Sequence, residues 1–536
     1  VTATVQAAEQ DLDAAFLADV GDRPPLGPGG DLAVPPPLRS WRHTDPRVGW
    51  FITILVTVLA GLTRFWDLTD PKGKIFDEVY YATEAQELLR YGYENNPDYM
   101  FIVHPSVGKW CIALTSTIFG NNELGWRMAP AIAGTLSVFM IVRIGRRMFR
   151  SNLLGGLAGL LLTMDGVSLV QSRVALLDIF LQLFILAGFG ALVVDRDKFR
   201  ERLARYLADG GDARTRIPPL GPRPWRLLGG VMLGLSCGVK WSALSFAVLF
   251  CLLSMAWDVG ALKTAGVRYP WSAAWRASWV GAIFSLWLAA IGTYMLTWLG
   301  WWAGENSWNR HWADTNHING FGWLPKGFQS ALYYHYKAYE FHSSLYSPHP
   351  FESQPWSWLV LGRPILYANY TTSPGGNDTA MCGSKICVSE VLLIGTPLMW
   401  WAFIPALLWL TWHWATTRDW RAATVLVAFL AGWAVWLHDI RRTAFLFYMT
   451  PLMPYLVLGL TLALGTMLGS ARIPSIRMLR YRPNWGLILV ALFLGVVIAD
   501  FVWMYPLFTN IPISHSSFLG HMWFNSWYLN RTGSGD

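Results

Sequence analysis

Long apolar runs alternate along this chain with short basic segments. The first run covers residues 50 to 66 and follows Arg39, Arg42 and Arg47. Others cover 124 to 142, 153 to 170, 174 to 194, 226 to 238, 242 to 259, 275 to 299, 391 to 415, 422 to 437, 444 to 468 and 485 to 505. A helix needs roughly 20 apolar residues to cross a bilayer core, and the runs at 153 and 226 are short and Gly-rich. The pattern predicts an all-α polytopic membrane protein with about 11 transmembrane helices. The basic stretch "RIGRRMFR", the charged segment 195 to 224, and Arg418, Arg421, Arg472, Arg477, Arg480 and Arg482 fall at run ends on one side. The positive-inside rule makes that side cytoplasmic. The N-terminus is then expected inside, the C-terminus outside, and the membrane is expected to be the cytoplasmic one.

This topology leaves residues 67 to 123 and 300 to 390 as extracytoplasmic loops. The first contains "DEVYYATEAQELLRYGY", which reads as an amphipathic helix with Val79, Ala82, Ala85, Leu88 and Leu89 on its apolar face. The second is rich in Trp, Tyr, His and Pro, and loops of such length are uncommon unless functional. The expected organisation is a cytoplasmic tail at 1–47, largely disordered because it is Pro/Gly-rich, a membrane domain at 48–505, and an outer tail at 506–536. No internal repeat of the inverted-transporter kind is visible.

Composition agrees. Hydrophobic residues make up 53% of the chain and charged ones 14%, against about 25% charged in a soluble domain. The formal charge of +8 would suit nucleic acid, but the arginines lie in short segments between apolar runs, so no nucleic-acid partner is expected. Cys382 and Cys387 share a polar loop and are expected to form a disulfide if that loop faces outside. No second Cys or His pair follows them, so a zinc site is not expected.

In this topology several charges sit close to lipid on the outer face. Asp77 and Glu78 open the amphipathic helix, where acids complement the helix dipole, and where an acid pair can also serve catalysis. His104 and Lys109 lie in "HPSVGKW", a turn that could equally be an interfacial anchor. Arg64 and Arg127 stand at the outer ends of the first two runs. Arg173 and Asp178 lie in "QSRVALLD", as an i, i+5 pair or as separate contacts, and Lys240 is at the tip of "GVKWS". Arg441 and Arg442 in "HDIRRTAF" depart furthest from the positive-inside rule. An anionic lipid substrate accounts for the cations, because the arginine fork donates two hydrogen bonds to phosphate.

Together these stretches resemble the protein O-mannosyltransferases of the glycosyltransferase C superfamily. "RFWDLTDPKGKIFDEVYYATEA" is similar to the family's first loop with its Asp-Glu pair. "HPSVGKW" is similar to its His-Pro-Pro-Leu-Gly-Lys element, with Ser106-Val107 where Pro-Leu is usual. "GWRMAP", "SRVALLD", "GLSCGVKWSAL", "FHSSLYSPHPFESQPWSWLVLGRPI" and "FLFYMTPLMPY" follow in the family's order. The large loop is too short for the soluble β-trefoil domain of eukaryotic members, which resembles the bacterial, actinobacterial type. The resemblance implies the glycosyltransferase C fold and transfer of mannose from polyprenyl-phosphate mannose to Ser or Thr of unfolded secretory proteins, with the export channel as a further expected partner.

On this resemblance Asp77 is the expected general base, with inversion at the sugar carbon. Glu78 pairs with Arg127 or Arg64. The expected donor-binding set is Arg64, His104, Lys109, Arg127, Arg173, Asp178, Lys240, Arg441 and Arg442. His349, Trp356 and Trp358 cover the site or meet the acceptor. No metal or other cofactor is expected, the cations standing in for a divalent ion. The competing readings are a polyprenyl-phosphate-sugar transferase acting on lipid or glycan, and a transporter or flippase, which would place its charges near the bilayer midplane.

Overall fold

The computed structural model describes residues 45–95, 103–213, 221–371, 382–469 and 485–528. The N-terminal stretch to residue 44 and Arg472, Arg477, Arg480 and Arg482 lie outside the described residues.

Helix α1 (Pro46–Phe65) opens on Asp45, whose carboxylate accepts the Arg47 amide at 2.8 Å, with Pro46 in the first turn. The first loop carries two helices, α2 (Glu78–Tyr91) and α3 (Val107–Phe119). Gly92 ends α2 at φ 80°, a left-handed position that suits glycine. Asn122 caps α4 (Glu123–Phe149) through the Gly125 amide, and Ser151 caps α5 (Asn152–Thr163) through the Leu154 amide. The short α6 (Gly166–Gln171) follows, then α7 (Asp178–Ala208), α8 (Pro224–Cys237), α9 (Ala243–Thr264) and α10 (Pro270–Leu296).

The large loop contains α11 (Lys326–Ser343) and the strands β1 (Ile365–Thr371) and β2 (Cys387–Leu393). Four further long helices are α12 (Pro397–Thr417), α13 (Trp420–Leu437), α14 (Leu446–Leu468) and α15 (Trp485–Thr509). The chain then returns as β3 (Ile513–Ser514) and α16 (His515–His521).

Eight of these helices are long and apolar enough to cross a membrane: α1, α4, α7, α9, α10, α13, α14 and α15. Among the described residues, eight helices meet this length and composition test, against the expected count of about 11. The other three expected runs are helical but stand apart: α5 has 12 residues, α8 has 14, and α12 has 21. Burial separates centre from rim. In α7 and α14, 72% of the apolar window is buried, whereas in α10 only 11% is. Helix α4 packs against α1, α3, α5 and α7, and α7 packs against α8, α9 and the start of α14.

The fold also contains a small sheet that the apolar pattern did not reveal. Strands run β1-β2-β3, both pairs antiparallel, with Ile365 opposite Leu393, Thr371 opposite Val388 and Cys387 opposite Ser514. Cys382 and Cys387 are joined as a disulfide at the start of β2. Helix α15 continues to Thr509, and Trp527 is 1% exposed, its indole donating to the Leu361 carbonyl at 2.6 Å. An indole buried with its N–H paired fixes this segment onto the large loop.

Candidate active site

Asp77 and Glu78 stand side by side in sequence and face different surroundings. Glu78 is fully buried. Its Oε1 accepts Arg127 Nε at 2.9 Å and its Oε2 accepts Arg127 Nη2 at 2.9 Å, a two-bond fork. The same carboxylate accepts the Ile75 amide at 3.0 Å and the Ala175 amide at 2.9 Å. Arg127 completes the knot by donating to the carbonyls of Pro71 at 2.7 Å and Gly73 at 2.9 Å. One ion pair thus ties the first loop to α4 and to the segment before α7. Buried charges hold only when paired and hydrogen-bonded in this way.

Asp77 precedes the first residue of α2, and its side chain makes no capping bond. Its carboxylate has no hydrogen-bond partner among the described residues, while its carbonyl accepts the Tyr80 and Tyr81 amides. Burial pushes the Asp77 carboxyl up to about 6; Lys240 pulls it down and Asp178 pushes it further up. The preceding residue, Phe76, sits at φ 47°, in the left-handed region where non-glycine residues are uncommon. Its ring stacks on Tyr367 at 4.4 Å, which holds the turn in place. A backbone kept in a sparsely populated conformation beside an unpartnered acid is a mark of functional sites.

Asp178 and Lys240 form a buried ion pair at 2.7 Å across the tops of α7 and the α8–α9 turn. Lys240 Nζ lies over the rings of Phe447 at 5.5 Å and Tyr448 at 5.9 Å. Arg442 approaches the same Tyr448 ring at 5.8 Å and Trp436 at 5.1 Å, and donates to the His342 carbonyl at 2.9 Å. His342 stacks on His104 with ring centres 5.1 Å apart. Burial pushes His342 down to about 4 and His104 well below its usual value, so both imidazoles are neutral at pH 7. A small cavity beside the pair is lined by Asp178, Leu181, Ser242, Phe246, Trp436 and Tyr448.

Several residues of the expected donor-binding set hydrogen-bond to protein groups. Arg127 donates to Glu78 and to the loop carbonyls of Pro71 and Gly73. Arg64 is fully buried and donates to Ser172 Oγ at 3.2 Å and the Leu162 carbonyl at 3.3 Å. Gly134 makes room for that contact, since a Cβ there would stand 1.9 Å from Ser172 Oγ. Arg173 donates to the carbonyls of Trp66, Arg64 and Asp67 at the end of α1. It does not pair with Asp178. Lys109 is fully buried between Glu94 at 2.8 Å and Glu84 at 3.0 Å.

Arg441 projects outward, its side chain 80% exposed and 3.5 Å from Asp439. Of the residues expected over the site, Trp358 is a core residue, 1% exposed with its indole on Ser353 Oγ at 2.9 Å. Trp356 is exposed, and His349 packs against Phe351 and Phe445. Among the described residues, no group of three or more His, Cys, Asp or Glu side chains is arranged to hold a metal ion.

Sequence reasoning did not name His342, Trp436, Phe447 or Tyr448. The stretches "FHSSLYSPHP" and "FLFYMTPLMPY" contain three of them, but nothing in either singles out the ring that meets a cation.

A family model described as "Dolichyl-phosphate-mannose-protein mannosyltransferase" matches residues 54–302. A second, "C-terminal four TMM region of protein-O-mannosyltransferase", matches residues 328–527. A polyprenol-phosphate-mannose–protein mannosyltransferase of Mycolicibacterium smegmatis is 39% identical over 94% of this chain and 97% of its own. The Mycobacterium tuberculosis protein of the same name is 40% identical over 92% and 94%. That of Corynebacterium glutamicum is 34% identical over 93% and 96%. Among solved structures, the Saccharomyces cerevisiae protein O-mannosyltransferase Pmt1-Pmt2 complex bound to the sugar donor superposes with a TM-score of 0.67 at 14% identity. It covers 91% of this chain and 93% of that one, a likeness of fold. With both halves matched and close relatives aligned almost end to end, the chain belongs to the protein O-mannosyltransferase family of membrane glycosyltransferases.

Proposed function

We propose that this protein transfers mannose from a polyprenyl-phosphate mannose to Ser or Thr hydroxyls of proteins, with Asp77 as general base. The observation that carries the reading is the contrast within one dipeptide. Glu78 is locked into a four-donor knot, and that knot sets the start of α2 beside an Asp77 whose carboxylate is unpartnered and raised to about 6. A base works best when its pKa lies near the working pH. The acceptor oxygen bonds to the sugar C1 as its proton passes to Asp77. The C1–O bond to phosphate breaks, and its electron pair leaves on the lipid phosphate. A single displacement inverts C1. The phosphate leaves without needing a proton, so one carboxylate suffices where most glycosidases use two.

Lys240 and Arg442 are the cations best placed to stabilise the departing charge, being near the cavity and backed by the Tyr448 ring. Asp178 holds Lys240 in place. Glu78 and Arg127 act by positioning. The active site faces the outside of the cytoplasmic membrane in this reading, because the basic run ends lie at the other end of the bundle. Acceptors arrive unfolded, since a hydroxyl must reach a largely buried carboxylate, and association with the export channel would supply them in that state.

The test is an assay of purified protein in lipid nanodiscs with polyprenyl-phosphate mannose and a Ser/Thr peptide. Asp77→Asn is expected to lower turnover by at least ~10²-fold, the low end for losing a general base. Full activity in that variant sinks the assignment. Transfer by the wild type to lipid alone moves the acceptor class.

A further inference from the structure

Two of the long helices carry the active site at one end and an arginine cluster at the other. On α4, Arg127 and Arg147 are twenty residues apart, about 30 Å along the axis, which equals a bilayer's hydrocarbon thickness. At the far end Arg147 donates to Asp197 at 2.9 Å, and Arg196 donates to the same carboxylate at 3.1 Å. Arg150 and Arg200 lie within electrostatic reach of Asp197 and of each other. Four guanidinium groups from two helices therefore gather round one carboxylate. Neighbouring acids are engaged elsewhere: Asp195 with Arg223, Glu201 with Lys198, and Asp419 with Arg421.

Helix C-termini favour basic residues through their dipole, which accounts for Arg147 and Arg150. It does not account for Arg196 and Arg200, which sit well inside α7. Arg196 is 8% exposed and its guanidinium lies 3.6 Å over the Trp420 ring. The Nε atoms of Arg196 and Arg200 are both buried without an acceptor. Buried polar groups are normally hydrogen-bonded, so this surplus of donors points to an absent anion. Arg150 takes φ 52°, the left-handed position that ends α4.

We infer that this cluster binds the phosphate of an anionic phospholipid from the leaflet opposite the active site. The guanidinium fork matches a phosphate diester, and basic pockets between helices at this depth suit such headgroups. The surroundings favour a lipid over a soluble phosphate. Leu153, three residues beyond Arg150, is 61% exposed, and Trp420 supplies the aromatic rim typical of a membrane interface. Site and catalytic centre are separate, so the lipid serves to hold α4 and α7 together at their far ends.

Native mass spectrometry of the full chain, titrated with phosphatidylglycerol, phosphatidylcholine or glycerol phosphate, tests this. Wild type is expected to retain phosphatidylglycerol at least about tenfold better than phosphatidylcholine, with Arg200→Gln losing about fivefold and Arg200→Lys keeping most of it. Turnover of Arg200→Gln in phosphatidylcholine nanodiscs is expected to match wild type. Should Arg200→Gln fail to purify as a monodisperse protein, Arg150→Gln on the other helix gives the same reading. Equal retention of both lipids by wild type, or unchanged phosphatidylglycerol affinity in the arginine variants, overturns the site. Glycerol phosphate binding as tightly as phosphatidylglycerol overturns its assignment to lipid.

Discussion

Asp77 carries a burial cost that a neutral replacement would remove. Its acid is raised to about 6 by burial, against about 3.9 in an unfolded chain. A group raised in this way binds its proton more readily in the fold. Its contribution is therefore neutral below pH 4 and becomes destabilising as pH rises through 6. Asp77→Asn is expected to increase stability at pH 7 by the order of 1 kcal/mol or more, and to leave it unchanged near pH 3.5, read by thermal unfolding in detergent. Activity runs the other way. The base must be ionised, so kcat/KM is expected to fall as pH drops through about 6. Neighbouring charges shift that limb with opposite signs. Lys240→Met removes the cation that lowers Asp77 and is expected to move the limb upward. Asp178→Asn removes an anion that raises it, and frees Lys240, so the limb is expected to move downward. Identical limbs in both variants would separate Asp77 from this pair.

At the level of elements, the start of α2 is held by a side chain from α4, since Arg127 joins Glu78 to the carbonyls of Pro71 and Gly73. Breaking a buried ion pair from one side leaves an uncompensated charge and typically costs about 3–5 kcal/mol. Arg127→Ala is expected to lose stability on that scale, with loss of turnover accompanying it. Arg441→Ala, whose parent side chain is 80% exposed, is expected to stay within about 0.5 kcal/mol. The helices themselves were legible because their apolar runs are long and bounded by basic segments, and the structure shows three of their starts capped by Asp45, Asn122 and Ser151. The pairing of charges was not. Arg64, Arg127 and Lys109 look alike as cations near the outer face, yet each meets different acceptors, and those acceptors come from segments up to 108 residues away. The small sheet also escaped notice, because its strands lie within an aromatic-rich loop and β3 is only two residues long.

For the whole molecule, the decisive quantity is the separation of two ends. The acid pair with its neighbouring cations occupies one end of α4 and α7, and the basic cluster around Asp197 occupies the other. A membrane-impermeant thiol reagent applied to intact cells is expected to label Arg441→Cys and to miss Lys198→Cys until the cells are opened. Labelling in the reverse order would place Asp77 inside. The same arrangement tells against a pure transporter, whose working charges belong near the midplane.

The amino-acid sequence alone determined that the chain is a helical membrane protein, that acids and cations gather on one face, and that its motifs follow the order of a known family. Apolar periodicity and charge bias are local properties, and they survive without coordinates. Only the tertiary structure decided which acid of the pair is locked and which is available, and which cations are near it. Burial and hydrogen bonding depend on contacts between α2, α4, α7 and α14, and those contacts are not written in any one segment.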